Sequence, residues 1–482
     1  MKYTNPYSDL PNIYFGEDGN TFNLMVDNQS LVVLKWDEGG NNRISYNAPF
    51  PLNENIKQQI SILEERLINS KLSGVEDEQE DPDLDPFDPS QITINTKSVT
   101  VTNLMTRLEQ QTIKLDPDFQ RREVWDMERK CQLIESLLLK IPIPLFYVAA
   151  DSSERWTVVD GLQRISAIRD FTLGKDYLDF KLSKNEKQVG NKRVPKKGEG
   201  FPLKGLSFCA DELEGKRMID LEQDEKLFKY YNRIVETNFT FVVIDPSTPE
   251  EVKFNVFKRI NTGGMQLTSQ EIRNALYGGP ATCLLNKLAA TKEFKTATTY
   301  SVKDNRMEDK ELILRFLAFH LRDPFKYGKT YNIDNWLSEA MIIINALPNL
   351  DNREFRKLIA KGKVNRGDVL ITSIDKLEND FILAMNRGYN LFGEHAFRKS
   401  CPGQRRTPIN KSLFETWGVL LSQLNDTEYN NLVNSKDELI KDYESILRDD
   451  RFIIDISRDS MKKTSVENRY TKVRNLINKY TQ

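Results

Sequence analysis

A short acidic stretch divides this chain of 482 residues into unequal parts. Residues 76–88, EDEQEDPDLDPFD, carry eight acidic residues and no basic residue, with prolines at positions 82 and 86. A segment with so much like charge and so few apolar side chains cannot pack into a core. We therefore predict a linker over residues 73–90, so that each compact domain must lie on one side of it.

The segment before the linker has the pattern of a small independent module. The apolar residues of TFNLMV (21–26) and SLVVLKW (30–36) alternate around a polar turn, which is typical of a β-hairpin. Apolar residues between positions 56 and 67 recur on one helical face. Residues 1–72 are therefore predicted to form a β-plus-helix module, and their sequence indicates no function.

The segment after the linker changes character near residue 276. Residues 91–276 alternate between strand and helix patterns, whereas residues 277–482 show mainly the 3.6-residue periodicity of helices. Examples of that periodicity are Glu308–Leu321, Asp334–Leu347 and Ser373–Met385. We predict an α+β core followed by a helical C-terminal domain.

The scarcity of histidine limits the chemistry of the chain. It contains only two, His320 and His395, which are 75 positions apart. Ser–His–Asp hydrolysis, HNH nuclease chemistry and HD phosphohydrolase chemistry all need suitably placed histidines. We expect both histidines to be packing residues, so that any catalysis must use Arg, Lys, Gln, Asp, Glu, backbone amides or a carboxylate-bound metal.

The cysteines and the apolar segments exclude further classes of protein. The four cysteines lie far apart without a CxxC pair, which favours reduced packing residues over disulfides or a zinc site. No apolar run approaches the roughly 20 residues that span a bilayer. The N-terminus lacks the basic and apolar regions of a signal peptide. We therefore expect a cytoplasmic protein without membrane contact.

The sequence RWTVVD (155–160) followed by Gly161 and a helix pattern indicates an anion site. A glycine between a strand and a helix exposes backbone N–H groups next to the positive end of the helix dipole. Arg164 on the first helical turn could bind a phosphate with its forked guanidinium, while Asp160 holds a metal-bound water. Arg164 could equally form a structural ion pair with Asp160, and the local pattern does not decide between the two.

Two basic stretches offer surfaces for nucleic acid. Residues 181–204 hold eight Lys or Arg and two acidic residues, and residues 398–411 hold five and none. Such loops are either solvated surface or phosphate-binding surface. Within the second stretch we predict Arg405, Arg406 and Lys411 as contacts to DNA phosphates.

Four ordered motifs carry a resemblance to a known family. They are Phe119-Gln120-Arg121, SLLLKIPIP (136–144), VDGLQR (159–164), and FKRINTGGMQL (257–267) followed by QEIRN (270–274). Together they resemble the N-terminal domain of GmrSD-type restriction systems, whose fold is similar to the ParB and sulfiredoxin nucleotide-binding fold. The resemblance covers roughly residues 91–320. More loosely, FRKSCPGQRRTPINKSLF (397–414) resembles the standalone members of the family that lack an HNH domain.

The resemblance implies a site for a nucleoside triphosphate, whose binding or hydrolysis controls an attack on foreign DNA. Carried over position by position, it nominates as nucleotide-binding residues Gln120, Arg121, Gly161, Arg164, Asn261 and Gly264. The expected catalytic residues are Asp160, Gln163 and Arg164, with Asp160 also the expected ligand of Mg²⁺. Leu162 stands where the DGQQR pattern of the family has its first glutamine, which places hydrolysis more in question than binding.

Three functions are consistent with these observations. The first is an NTP-hydrolysing component of a bacterial anti-phage or restriction system that acts on DNA. The second is a non-catalytic module that senses nucleotide or DNA and assembles with a partner effector or with further copies of itself. The third is a metal-dependent nuclease whose carboxylates the sequence does not locate. Two histidines cannot supply an HNH site, so a nuclease step would need that unlocated site or a separate chain.

Overall fold

The computed structural model describes the backbone of four N-terminal strands and most of the chain after residue 92. The described residues are 12–15, 21–26, 29–36, 44–47, 74–76, 93–115, 125–151, 153–182, 194–260, 268–303, 306–328, 332–457 and 459–481. The chain divides into two compact units. We call residues 86–276 the core unit, and residues 1–85 together with 277–482 the helical unit.

The N-terminal strands form an antiparallel sheet in the order β1-β2-β3-β4. Their bounds are β1 (Asn12–Phe15), β2 (Thr21–Val26), β3 (Gln29–Trp36) and β4 (Ile44–Asn47). The predicted hairpin is confirmed, because β2 and β3 pair across residues 27 and 28. The helix predicted between residues 56 and 67 lies outside the described residues.

The core unit is built on a mixed five-stranded sheet in the order β5-β9-β7-β8-β6. Its strands are β5 (Ile94–Thr100), β6 (Ile113–Lys114), β7 (Phe146–Ala150), β8 (Trp156–Asp160) and β9 (Asn238–Ile244). Strand β7 pairs antiparallel with β8 and parallel with β9, while β5 closes one edge antiparallel to β9. Two strands lie on each side of β7, which is therefore the central strand of the sheet.

Nine helices accompany this sheet in the described part of the core unit. They are α1 (Val101–Glu109), α2 (Met127–Leu138), α3 (Leu162–Thr172), α4 (Lys175–Leu182), α5 (Ala210–Leu213), α6 (Met218–Gln223), α7 (Phe228–Val235), α8 (Glu250–Ile260) and α9 (Ser269–Leu276). The α+β class predicted from the sequence is confirmed.

Local sequence signals explain where the helices that frame the site begin. The carboxylate of Asp126 accepts a hydrogen bond from the Arg129 N–H and so caps α2. Thr268 and Glu271 exchange the two hydrogen bonds of a capping box at the start of α9. Ile168 of α3 is buried in the same core as the apolar face of α2, so α2 and α3 hold the end of β8 against a common core.

The helical unit contains further helices that agree with the predicted periodicity. They are α10 (Pro280–Ala290), α11 (Lys292–Ala297), α12 (Glu308–Leu321), α13 (Ile333–Ala346), α14 (Arg353–Ala360), α15 (Ile374–Phe392), α16 (Lys411–Gln423), α17 (Asp426–Asn434), α18 (Lys436–Leu447), α19 (Asp450–Asp455) and α20 (Lys463–Thr481). Short 3₁₀ turns lie at Pro324–Lys326, Arg366–Asp368 and Gly393–His395.

Helix α15 continues beyond Met385, where the predicted segment ends, to Phe392. The continuation passes through Gly388, a residue that weakens helices in isolation. A Cβ atom at Gly388 would lie 2.6 Å from Cζ of Phe397, so the glycine makes room for that ring. Packing therefore overrides helix propensity at this position.

Residues 74–76 pack against the chain around Ile409 within the helical unit, although the sequence placed them in the linker. The Glu76 N–H donates to the Ile409 carbonyl at 2.7 Å, and Val75 is buried. The Glu76 carboxylate accepts hydrogen bonds from Lys399 at 2.6 Å and from Asn410 at 2.5 Å. The linker prediction is wrong for these three residues, because a glutamate with two such donors can be ordered despite the acidic sequence that follows.

The described residues bear on two predictions, the absence of a membrane span and the state of the cysteines. Within these residues, no helix is both long enough and apolar enough to cross a membrane. The four cysteines are free thiols; the predicted packing role fits Cys131 and Cys401, which are buried, but not Cys283, which is exposed. Burial raises the pKa of the Cys401 thiol to about 11, which keeps it protonated and unreactive at neutral pH.

Candidate functional site

The turn between β8 and α3 requires glycine at position 161. Gly161 has φ of 92°, in the left-handed region, and precedes α3 without any side-chain cap to the helix start. A Cβ atom here would lie only 2.4 Å from Cδ1 of Phe146. The first-turn N–H groups of α3 lack carbonyl partners within the helix and lie at its positive end. These N–H groups are therefore the part of the turn to which an anion would bind.

Arg164 is turned inward instead of toward solvent. Its side chain is only 13% exposed, and its guanidinium lies 4.6 Å from the ring centroid of Phe146. Nη1 donates to the Pro144 carbonyl at 2.5 Å, while Nη2 donates to the Leu145 carbonyl at 3.1 Å and to Oδ2 of Asp160 at 3.0 Å. Of the two alternatives that the sequence left open, the structure contains the ion pair.

Burial lowers the pKa of Arg164, while the charge and the hydrogen bond of Asp160 oppose the shift. A buried arginine is stabilised mainly by hydrogen-bond acceptors in fixed positions, which here are the two carbonyls and Asp160. Arg164 therefore positions Asp160 and the segment that enters β7. The Asp160 side chain is 37% exposed, so its carboxylate remains accessible at the end of β8.

The two residues between Gly161 and Arg164 have different environments. Leu162, the departure from the family pattern, packs against the hydrophobic core of the unit. Gln163 is partly exposed on the first turn of α3. At this position the chain therefore has an apolar side chain that packs against the core, and it lacks the polar side chain of the family pattern.

The remaining nominated residues are not placed by the structure. Gln120, Arg121, Asn261 and Gly264 lie outside the described residues. Within the described part of the chain, no group of three or more His, Cys, Asp or Glu side chains is arranged to hold a metal ion. The described part of the site therefore consists of Asp160, the backbone at Gly161 and the partly exposed Gln163.

Comparison with protein families supports the resemblance drawn from the motifs. The family described as GmrSD restriction endonuclease, N-terminal domain, matches residues 101–278. This segment belongs to the GmrSD N-terminal domain family. The match spans β7, β8 and α3 and thus includes the whole turn around Gly161. A comparison with curated proteins found no match.

The basic stretch 398–411 lies beyond the segment that matches the GmrSD family, and one of its predicted DNA contacts is wrong. Lys411 is the first residue of α16, and its side chain is only 9% exposed. Its ammonium group lies 2.9 Å from Glu311 and 4.0 Å from Glu308. A lysine buried between two carboxylates neutralises them and cannot reach a DNA backbone.

Arg398 in the same stretch also serves the fold. Its buried guanidinium donates to the carbonyl of Thr407, to the Thr298 carbonyl at 3.1 Å and to the Ser301 hydroxyl at 2.8 Å. Burial and the nearby charge of Arg406 lower its pKa to about 10. Arg398 therefore fastens the basic stretch to the end of α11.

Arg405 and Arg406 are exposed, as a DNA contact requires. Arg406 lies 3.5 Å from Glu394 in a solvent-exposed pair, which contributes little to stability. Of the three DNA contacts predicted from the sequence, these two are accessible on the surface.

The two histidines show why residue types alone do not make an active site. His320 lies 2.8 Å from Asp380 and 3.4 Å from the Ser422 hydroxyl, which resembles a Ser–His–Asp set. All three side chains are buried, and the Ser422 hydroxyl donates to the Val419 carbonyl at 2.8 Å. Burial lowers the pKa of His395, the second histidine, and helps to keep it neutral. The packing role predicted for His320 is confirmed.

One structural carboxylate of the GmrSD-type core was missed by the sequence reasoning. Glu135 lies on the buried face of α2 and accepts hydrogen bonds from three consecutive backbone N–H groups, those of Ser207 (3.1 Å), Phe208 (2.7 Å) and Cys209 (3.0 Å). Burial alone would raise the pKa of Glu135, but these hydrogen bonds outweigh it and lower the pKa. The sequence feature that could have indicated this role is a glutamate within the mainly apolar segment LIESLL (133–138).

A second missed feature of this core is a buried ion cluster. The ammonium of Lys130 lies 3.1 Å from Oδ2 of Asp170, and Nη2 of Arg169 lies 2.6 Å from its Oδ1. The cluster joins α2 to α3. It therefore ties the helix that follows Gly161 to its neighbour, and a change in any of the three residues would disturb the site indirectly.

Proposed function

We propose that the chain is a nucleotide-binding component of a bacterial restriction or anti-phage system that acts on DNA. The observation that carries this proposal is the turn at Gly161, which lies inside the segment of the GmrSD N-terminal domain family. The description of this family names a restriction endonuclease. The fold proposed for the core unit is the ParB and sulfiredoxin nucleotide-binding fold.

In this proposal the backbone binds the phosphates. A triphosphate oxygen accepts hydrogen bonds from the N–H groups that follow Gly161, where the helix dipole of α3 adds positive potential. Gly161 is required for the turn itself, because a side chain there would collide with Phe146. Gln163 contributes a side-chain contact from the exposed surface of the first turn.

Asp160 is the proposed catalytic residue, and Arg164 positions it. The hydrogen bond from Nη2 of Arg164 fixes one oxygen of the carboxylate. The carboxylate then orients a water for attack on the terminal phosphate. Asp160 is also the residue that would hold Mg²⁺, since this ion is commonly bound by one or two carboxylates plus substrate phosphates. Bound there, Mg²⁺ would supply charge neutralisation.

The second candidate is a sensor that binds nucleotide without hydrolysing it. It is favoured by Leu162, whose packing in the core removes one polar side chain from the family pattern. A sensor would act by assembly with a separate nuclease or effector chain, or with further copies of this chain. DNA would contact the helical unit at Arg405 and Arg406, which are exposed.

Binding and turnover of ATP and GTP by the full chain distinguish the two candidates. For a hydrolase, Asp160→Asn should reduce phosphate release by about 100-fold or more while leaving the equilibrium affinity within a few-fold. The matched control is Asp176→Asn, an exposed aspartate on the first turn of α4. Binding without turnover in the wild type would favour the sensor.

A second pair of variants tests the location of the nucleotide. Gln163→Ala should weaken binding by about five- to tenfold because one hydrogen bond is lost. Gln132→Ala, on the exposed face of α2, should leave binding unchanged. A wild-type chain that binds neither nucleotide, with or without Mg²⁺, would contradict both candidates.

A further inference from the structure

The helical unit contains a pocket of about 350 Å³ that the proposed function does not use. The end of α12, the turn Pro324–Lys326, the start of α13, residues 362–368 and the start of α20 form its wall. Its volume lies within the range of roughly 300–1,000 Å³ found for small-molecule sites. None of the lining residues belongs to the segment that matches the GmrSD family.

The pocket is lined by four basic side chains and one acidic side chain. The basic residues are Arg322, Lys326, Lys363 and Lys463, and the acidic one is Asp368. Lys326 lies 2.5 Å from Asp368 and keeps a side chain that is 56% exposed. The lining therefore carries an excess of positive charge, part of it on flexible ammonium groups that can move to a ligand.

Arg322 gives this wall a fixed cation. It donates to Glu339 at 2.8 Å and to the Trp336 carbonyl at 2.6 Å. Lys463, at the start of α20, lies 3.5 Å from Glu467. The carboxylates that pair with these two cations, Glu339 and Glu467, are not among the residues that line the pocket.

Two aromatic side chains, Phe325 and Trp336, supply the apolar part of the wall together with Val364. The guanidinium of Arg322 lies 3.4 Å from the ring centroid of Trp336, and that of Arg474 lies 5.2 Å from the ring of Phe325. Both rings are thereby held in place by cation–π contacts. The indole N–H of Trp336 is buried and has no hydrogen-bond acceptor among the described residues. A buried donor without an acceptor costs folding free energy.

We propose that this pocket binds a small phosphorylated molecule with a planar ring, of the nucleoside monophosphate class. The lysines would bind the phosphate, since ammonium groups bind phosphate through charge-assisted hydrogen bonds. The partly exposed side chain of Phe325 would contact the ring, and the amide of Asn365 offers polar contacts to its edge. The proposal is independent of the nucleotide site at Gly161.

Calorimetric titration of the full chain with AMP, inorganic phosphate and a 5′-phosphorylated tetranucleotide tests this proposal. Lys363→Ala/Lys463→Ala should weaken AMP binding by about tenfold or more, because two charged contacts are lost. The matched control is Lys361→Ala/Lys462→Ala, which removes the same charge one or two positions away from residues outside the lining. Lys326→Ala, at a largely exposed side chain, should weaken AMP binding in the same direction.

Fluorine NMR of the chain labelled with 5-fluorotryptophan adds a readout at the pocket. The resonance assigned to Trp336 should shift saturably with AMP, and Gln163→Ala should leave that shift unchanged. Tighter binding of AMP than of the tetranucleotide identifies a free nucleotide as the ligand, and the reverse order identifies a nucleic-acid end. Both support the pocket.

Three results would overturn the proposal. They are the absence of saturable binding by all three probes, an equal loss of affinity in the two double variants, and loss of AMP binding in Gln163→Ala but not in Lys363→Ala/Lys463→Ala. The last result would assign AMP to the turn at Gly161 and so support the proposed function while rejecting this pocket.

Discussion

The turn at residues 160–164 and the basic stretch at residues 398–411 were both predicted to bind phosphates through cationic side chains. In each, the most prominent cation is engaged inside the protein. Arg164 donates to two carbonyls and to Asp160, while Lys411 lies against Glu311. The regions differ in their other groups, which are a glycine backbone at a helix start in one and two arginines on the surface in the other.

This difference separates two ways to bind an anion. Backbone N–H groups need no side chain and keep a fixed geometry, so that they suit a nucleotide held at one place. Exposed arginines bind a phosphate backbone through charge, with an affinity that depends on salt. The first region should therefore respond to changes in its backbone and packing, and the second to changes in salt concentration.

Replacing Gly161 with alanine should cost roughly 2–5 kcal/mol of unfolding free energy, because backbone strain adds to the clash with Phe146. Gly205, with φ of 64° and no atom within 4 Å of a built Cβ, is the matched control. Gly205→Ala should cost about 1–2 kcal/mol, from the left-handed backbone alone. Urea denaturation measures both, and equal costs would show that the close approach to Phe146 is not what requires glycine.

Lys411→Ala should destabilise the chain by about 2–4 kcal/mol, because Glu311 would lose the nearer of two cationic partners, Lys411 and Arg315, in a mostly buried position. Arg406→Ala, in the same stretch but exposed, should change stability by no more than about 0.5 kcal/mol. Thermal and urea denaturation of the two variants provide the comparison. If Lys411→Ala were as stable as Arg406→Ala, the buried ion pair of Lys411 would be contradicted, and Lys411 would again be a candidate for DNA contact.

Glu135→Gln should lower stability by about 1–3 kcal/mol at pH 7, because the carboxylate binds three backbone N–H groups. The folded-state pKa of Glu135 is lowered, so its charged form stabilises the fold above the ordinary glutamate pKa. That contribution is lost as the pH falls through the lowered pKa. The difference from wild type should therefore shrink below about pH 4.

Urea denaturation at several pH values measures this effect, with Glu128→Gln on the exposed face of α2 as the control. A difference that does not depend on pH would mean that the charge of Glu135 is not what the three N–H groups stabilise. The case also shows, within the same unit, an anion held by backbone N–H groups alone.

The smallest expected change in stability belongs to the exposed arginines. Arg405→Ala/Arg406→Ala should leave unfolding within about 0.5 kcal/mol of wild type, yet reduce the salt dependence of DNA binding by up to about two phosphate contacts. Arg353→Ala/Arg356→Ala, a second exposed pair in the helical unit, is the control. Equal salt slopes in both double variants and the wild type would remove Arg405 and Arg406 from the interface.

The fold could be predicted from the sequence wherever local signals determine it. The strand, glycine and helix of residues 156–172, the cap at Asp126 and the capping box at Thr268 are all in the structure. Each depends on residues within a few positions of one another. The pattern of the sequence is therefore sufficient for them.

The site could be predicted only in part, because the role of a charged side chain depends on distant residues. Arg164 is engaged by carbonyls about 20 positions away, and Lys411 by a carboxylate 100 positions away. No local pattern distinguishes such an arginine or lysine from an exposed one. Leu162 is similar, since only the packed core shows why a leucine occupies that position.

Hydrogen–deuterium exchange of the full chain, with and without saturating ATP or GTP, would locate the nucleotide on the backbone. We expect the backbone amides of residues 161–164 to exchange more slowly with nucleotide, and those of residues 398–411 to be unchanged. Protection confined to residues 398–411, or no protection at residues 161–164 under conditions where nucleotide binds, would contradict this expectation.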